Sequence, residues 1–592
     1  MPIDNAVASG NQIVASQLAS QLSNGDWVLL KSSTAIDGVF PHNEDHTPYP
    51  EELHQVSSTN GNTITLVDDL VDDFVLNRGV IKLTMLTDFT VKGIEITGSV
   101  GAGGHFLGLH YCADVTLDDI VFRQGSPGGI VIENCGNVQG NRIEMEGFFV
   151  PVNGDTFGVI FHGGCANCSF TQFSAKGTTH TMTTTSHNAY SNVLFTFTPS
   201  SSTIIELDNG QLSSYVASQF PAGHTPVTYA NVMTLGNQWS TISTDGVNQY
   251  IMTHIQSTGI IEVRRSLYPA RWGTPRKITF DGGIHRAGQW LLFSIPEGVG
   301  YVTDLNNNSV QSWLTGAFST AGYALTSATI SDVVDDVEWQ ITDTLTNGVK
   351  KRYVIKNEDG DLNVYVNASY AFSPHAEGYD IRIKNSHVFV DMPGNVSCVL
   401  MRTRNSGAEN VHFHGYPSNP QGPLEGGDYP SAFAKGYHAQ ADNNDVLDCV
   451  IETTFQGLYF EKSDYTGHTS SGNVYRYNGR MGILNYTTGV TSTNDVFIDN
   501  GGRNPGKSFY NDAILVRNDP PSEMTIDGGV FWHSDNQDNS IDTNGGTNSG
   551  HITVQNSIAI GFSAPSYNLG ITSNVVPLLP SGAPNHIVPD SY

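Results

Sequence analysis

A chain of 592 residues with 57 acidic and 28 basic side chains carries a formal charge of −29, so long-range repulsion argues against nucleic acid and anionic membrane surfaces as partners. Only 14% of residues are charged while 62 are glycine, a balance that suits turn-rich β structure better than helices built on Ala, Leu, Glu and Lys. No apolar run reaches the roughly 18 residues a membrane span needs, and the opening "MPIDNAVASGNQIVASQ" has no basic stretch followed by an apolar one, so neither membrane insertion nor an export signal is expected.

Residues 1–75 predict small β elements: "NGNTITL" from Asn60 carries a turn and an alternating strand that could pair with "WVLL" from Trp27. A nine-residue motif then begins, as "DFTVKGIEI" from Asp88, "DVTLDDIVF" from Asp114, "NVQGNRIEM" from Asn137, "NCSFTQFSA" from Asn167 and "KITFDGGIH" from Lys277. It defines a first repetitive stretch over 76–284, with a hairpin excursion inside it. Between about 210 and 372 the motif nearly vanishes, except around Lys277. Two stretches there, from Thr244 and from Thr346, resemble each other and read as antiparallel hairpins; 285–372 is expected to be an inserted or decorating β-rich region. Trp239, Trp272, Trp290, Trp313 and Trp339 concentrate here, either as a face for sugar rings or as a small core.

The motif is densest over 373–575. It starts at Asp380, Asn410, Asp445, Asn473, Asp495, Glu523 and His551, steps of 30, 35, 28, 22, 28 and 28 residues, which suit a coil with loops of variable length. Period-two alternation sends motif positions 2 and 4 inward, where the next coil must cover them. The sixth position holds Asn, Gly or Asp, residues that accept a left-handed backbone at a sharp bend. The prolines of 576–592 forbid a regular strand and predict an extended C-terminal cap.

These residues resemble the right-handed parallel β-helix of the pectate-lyase-like superfamily, and the N-terminal elements resemble those ahead of the helix in bacteriophage tailspikes and polysaccharide depolymerases. The fold class expected is therefore all-β, a right-handed parallel solenoid. The resemblance implies a homotrimer on a phage tail that binds and cleaves a bacterial surface polysaccharide.

Stacking at about 4.8 Å per coil turns outward motif positions into columns. On that register Asp499 and Asp527 become neighbours, near the separation of paired carboxyls in retaining glycosidases, though both also precede turns and could cap them. The loop from Gly457 adds Glu461, Asp464, Tyr465 and His468. Asp499, Asp527, Glu461 and Asp464 are the candidate catalytic acids and bases. Tyr475, Tyr477, Phe497, His412, His414, Tyr465, His468, Arg503 and Trp532 are candidate substrate contacts. Asp448 and Arg476 fall at inward positions, as a buried pair or through a one-residue slip.

No cofactor and no metal site is expected. "CANC" from Cys165 has zinc spacing without a second ligand pair, and "HSDNQDNSIDTNGG" from His533 lacks an EF-hand pattern. The reading is hydrolysis by paired carboxylates; a lyase acting on an acidic glycan, with His412, His414, His438, Arg476 or Arg480 as base or cation, and a non-catalytic adhesin are the alternatives.

Overall fold

A computed structural model describes residues 5–578 apart from connecting segments, of which 32–50, 98–104, 147–156, 186–193, 416–434, 501–512, 543–551 and 563–570 are the longest. The body of the chain is a parallel β-solenoid whose coils present three faces. In the early coils one long strand such as Cys112–Arg123 crosses faces A and B, and a second, Gly128–Glu133, forms face C. From Arg276 onward A and B are separate strands: Tyr379–Lys384 and His387–Val390, then Gly407–Glu409 and His412–His414, then Asp445–Leu447 and Val450–Glu452. Each pairs in parallel with its equivalent one coil away.

A single coil cannot bury its own apolar side, so the core is continuous along the axis, from Leu109 to Val554. Each fully buried aliphatic or aromatic residue in it adds roughly 1.5–3 kcal/mol. The corners use left-handed residues: Asp114, Asp119, Asn137, Asn385, Asp448, Asp499 and Asn556 all have φ between 46° and 59°. Buried asparagines stitch successive corners together. Asn478 Nδ2 donates to Asn500 Oδ1 at 2.8 Å, and Asn500 Nδ2 donates to the Tyr475 carbonyl at 2.8 Å. At the preceding corner Cys449 N–H donates to Asn473 Oδ1 and Asn473 N–H to Asp495 Oδ1, both at 2.8 Å.

The nine-residue motif occupies two different corners, which corrects the single register expected. The copies at Asp380, Glu523 and His551 run along face A, with Ile381, Ile383, Met524, Ile526, Ile552 and Val554 inward. Those at Asn473 and Asp495 run along face B, one residue out of step. Tyr475 and Phe497 are consequently core residues, and Tyr475, Phe497 and Phe531 stack at 4.9 Å per step. The same slip turns Arg476 outward, while Asp448 is the exposed left-handed corner after the face A strand Asp445–Leu447, so they form no buried pair.

Two modules interrupt the coils. One lies between His180–Thr185 and Arg276–Asp281, the other between Ile284–Ala287 and Tyr370–Ser373. Each is a five-stranded antiparallel sheet with its first strand beside its last, and two short helices follow that first strand. The second residue of the third strand is a buried tryptophan in both. Trp239 Nε1 donates to Asp208 Oδ1 at 2.8 Å and Trp339 Nε1 to Asn306 Oδ1 at 2.9 Å, each acceptor being the last residue of the module's first helix. Shared order and a shared buried bond make the modules structural repeats, and these two tryptophans serve cores.

Six strands between Asn5 and Leu83 form an antiparallel sheet. Thr63–Leu66 pairs with Glu51–Asn60 and Gln12–Val14; Trp27–Lys31 lies on the other side of Glu51–Asn60, so "TITL" and "WVLL" are not direct partners. The sheet docks through Arg276, 1% exposed, whose guanidinium donates to the Leu53 carbonyl at 2.6 Å and pairs with Asp68 at 3.2 Å. Gly136 is needed here, because a Cβ would lie 2.3 Å from the Trp27 ring.

Candidate functional site

Two clusters of titratable side chains lie on the outside of the same neighbouring coils. The first is on face C. Glu461 follows the strand Gln456–Phe460, and its Oε2 accepts a hydrogen bond from His438 Nε2 at 2.7 Å. His438 belongs to Lys435–Ala439, one coil earlier, in register with Tyr459. Its imidazole stacks on the Tyr459 ring at 4.5 Å, and Lys435 Nζ lies 4.9 Å above that ring. Gln440 Nε2 donates to the same carboxylate, and Arg402 Nε donates to Gln440 Oε1 at 3.0 Å. The Glu461 side chain keeps 28% of its surface open while His438 keeps 7%, so the carboxylate borders solvent and the imidazole lies beneath it.

The charges follow from this packing. Burial lowers His438 to about 4 despite its bond to Glu461. Burial would raise Glu461, but hydrogen bonds from His438 and Gln440 together with the Lys435 charge bring it to about 2. Burial also lowers Lys435. At neutral pH an ionised carboxylate thus holds a neutral imidazole, whose Nε2–H is committed to it. The basic lone pair is then on Nδ1.

The second cluster is on face B. Glu452 Oε1 accepts from His412 Nε2 at 2.8 Å and from His414 Nδ1 at 3.1 Å, and Glu452 Oε2 accepts from Arg476 Nε at 2.5 Å. Burial opposes ionisation of Glu452, yet its two imidazoles and the guanidinium hold it well below the usual carboxylate range. His387 is in register with His412, and Phe389 with His414. The Phe389 and His414 rings stack at 4.4 Å. These three histidines could hold a metal ion.

The chain is similar in structure to several phage tailspikes. The tailspike of Pseudomonas phage phi297 is 10% identical over 97% of this chain and 62% of its own, with a TM-score of 0.40. That of Pseudomonas phage LKA1 is 9% identical over 97% and 65%, TM-score 0.40. A tailspike of Acinetobacter baumannii bacteriophage AP22, solved in complex with capsular saccharide, is 8% identical over 98% and 63%, TM-score 0.35. The chain therefore spans 62–65% of the length of these proteins. No protein-family model and no curated protein sequence matches it.

The expected carboxyl pair is not assembled. Asp527 ends a face A strand in register with Thr493 and Gln555, and its two oxygens accept from Gln555 Nε2 at 3.0 Å and Asn556 Nδ2 at 2.8 Å. Asp499 follows Ile498 on face B, and its N–H donates to the Trp532 carbonyl. The two motif copies sit on different faces, so equal motif positions do not stack. Tyr475, Phe497, Tyr465 and His468 are buried, between 0% and 4% exposed, and do not line a surface. His468 instead stacks on Phe460 at 4.5 Å. Tyr477 is a turn residue at φ 55°, one coil before Asp499 in the same ladder, and Trp532 is half-buried on the outer side of face B. Asp464, Arg503 and Arg480 lie outside the described residues. The "CANC" cysteines are buried core residues, as are the other four.

His438 and Lys435 stand on the strand Lys435–Ala439. His387, Phe389 and Glu452 were missed. The signal was present: each follows a left-handed corner, Asn385 or Asp448, at a fixed count of two or four residues.

Proposed function

We propose that this chain is a tailspike-like depolymerase that binds an acidic bacterial surface polysaccharide and cleaves it by β-elimination. The observation that carries the reading is the neutral imidazole of His438 held by the ionised Glu461 beside Lys435 and Arg402. Elimination needs a base for the proton next to a uronate carboxylate, together with a cation to offset charge that builds on that carboxylate. His438 Nδ1 supplies the base, Glu461 fixes its tautomer, and Lys435 supplies the cation. The C5–H electrons form a C4–C5 double bond, and the C4–O glycosidic bond breaks with its electron pair leaving on oxygen.

Hydrolysis by acid and nucleophile asks instead for two facing carboxyls with one kept protonated. Among the described residues Glu461 faces an imidazole and an amide, and it is ionised. Location on a phage tail and assembly as a homotrimer belong to the same proposal.

The test is digestion of uronate-containing capsule or exopolysaccharide, followed by chain size and by ultraviolet absorbance of the unsaturated uronate. Shortened chains with absorbance, lost in His438→Ala and Glu461→Gln, are expected. New reducing ends without absorbance would point to hydrolysis, and unchanged chain length to an adhesin.

A further inference from the structure

We propose that His387, His412 and His414 form a binding site for a first-row divalent cation of the zinc class. One ring nitrogen from each lies within 4.8 Å of those from the others. The site is built by the fold: His412 and His414 alternate onto the outer side of one strand, and parallel register sets His387 beside His412 from the previous coil. His387 Nδ1 and His414 Nε2 are 3.4 Å apart. That is long for a hydrogen bond, but it is about the edge of a tetrahedron whose centre is ~2.0–2.1 Å from each nitrogen.

The surroundings prepare the rings as ligands. Glu452 Oε1 takes the N–H of His412 Nε2 and of His414 Nδ1, which leaves His412 Nδ1 and His414 Nε2 with their lone pairs. A carboxylate behind a ligating imidazole fixes its orientation and strengthens it as a donor. Glu452 is itself anchored by Arg476, and Phe389 holds the His414 ring in a near-parallel stack, 5° between planes. His387 is exposed, so a fourth position faces solvent and is open to water or an anionic ligand group. Imidazole sets of this kind suit zinc, copper, nickel or iron over calcium or magnesium. Because the ligands come from adjacent coils, a bound ion staples the strand His387–Val390 to the strand His412–His414.

The experiment uses the full chain, freed of any affinity tag, stripped with chelator and dialysed against Zn²⁺, with bound metal counted by elemental analysis. One zinc per chain and a raised unfolding temperature are expected, with His414→Ala and His387→Ala losing both. Glu452→Gln keeps the three ligands and should bind zinc about 10–100-fold more weakly. His110→Ala, at a histidine paired with Glu133 on another coil, should still bind one zinc. Co²⁺ in place of Zn²⁺ should give the visible bands of a tetrahedral site in the parent and lose them in His414→Ala. Absence of zinc in the parent, or full stoichiometry in both His414→Ala and His387→Ala, overturns the proposal and leaves a hydrogen-bonded histidine cluster.

Discussion

Replacing His285 with leucine should make the protein more stable, and increasingly so in acid. The side chain is 0% exposed and points into the core opposite Val388. Its ring lies 4.7 Å from that of Phe372 and 6.3 Å from that of Phe173, and neither ring nitrogen makes a well-formed hydrogen bond, the Gly282 backbone giving only a weak polar contact. A buried polar group without a partner costs about 1–3 kcal/mol, and leucine is close to histidine in volume, so overpacking is small. Burial lowers the imidazole from 6.5 to about 3. A depressed histidine leaves the unfolded chain binding more protons, so stability is lost as pH falls below 6.5; at pH 5 the loss is about 2 kcal/mol. His285→Leu should thus gain about 1–2 kcal/mol at pH 7 and about 3–4 kcal/mol at pH 5. Urea midpoints followed by tryptophan fluorescence at the two pH values measure both. If parent and variant lose stability in parallel between pH 7 and pH 5, the buried neutral imidazole is not there.

Asn478→Ala removes the acceptor of Thr454 N–H at 3.1 Å and of its hydroxyl at 2.6 Å; a loss of about 2–4 kcal/mol and faster hydrogen exchange at Thr454 are expected. Depolymerisation should hold from pH 7 to near 5 and fall as pH approaches about 4, where His438 takes up its proton, while His438→Ala should slow it about 10²–10⁴-fold. Arg276→Met removes the hydrogen bond to the Leu53 carbonyl and the pair with Asp68, which keeps Lys277; about 1–3 kcal/mol of docking is lost, seen as faster proteolysis of the N-terminal sheet with the far-ultraviolet spectrum unchanged. Val474→Glu places a charge in the half-buried outer column Val450, Val474, Val496 and Val530; light scattering should show a trimer in the parent and single chains in the variant.

The solenoid was legible because its cause is local and repeated: alternation demands a covering coil, and a left-handed corner demands Asn, Asp or Gly. The exact columns were not, because faces A and B both end in the same corner chemistry. A motif read from Asn473 looks like one read from Glu523, yet Tyr475 points inward where Thr525 points out. A one-residue error exchanges core for surface, and it is why Tyr475 and Phe497 looked like sugar contacts. Glu461 was found as an acid in a polar stretch; its partner His438 lies 23 residues earlier, a separation that only the coil length of that particular loop makes adjacent. The duplicated modules were visible as paired hairpins, but their helices, short and weakly patterned, were not.

Column chemistry also changes along the axis in a way that separates tasks. On face B the outer column runs Phe389, His414, Glu452, Arg476 and then Ile498 and Trp532, each in register with the next. On face C it runs Leu400, His438, Tyr459, Leu484 and Leu515. The titratable groups fall on face B strands 412–414, 450–452 and 474–476 and on face C strands 435–439 and 456–460, three successive coils. Apolar residues follow on the coils beyond. A rigid ladder has no hinge to bring distant coils together, so groups that must act on one ligand have to be written into adjacent ones. That band of coils is where charge, aromatic surface and lone pairs coincide, and the columns beyond it are apolar.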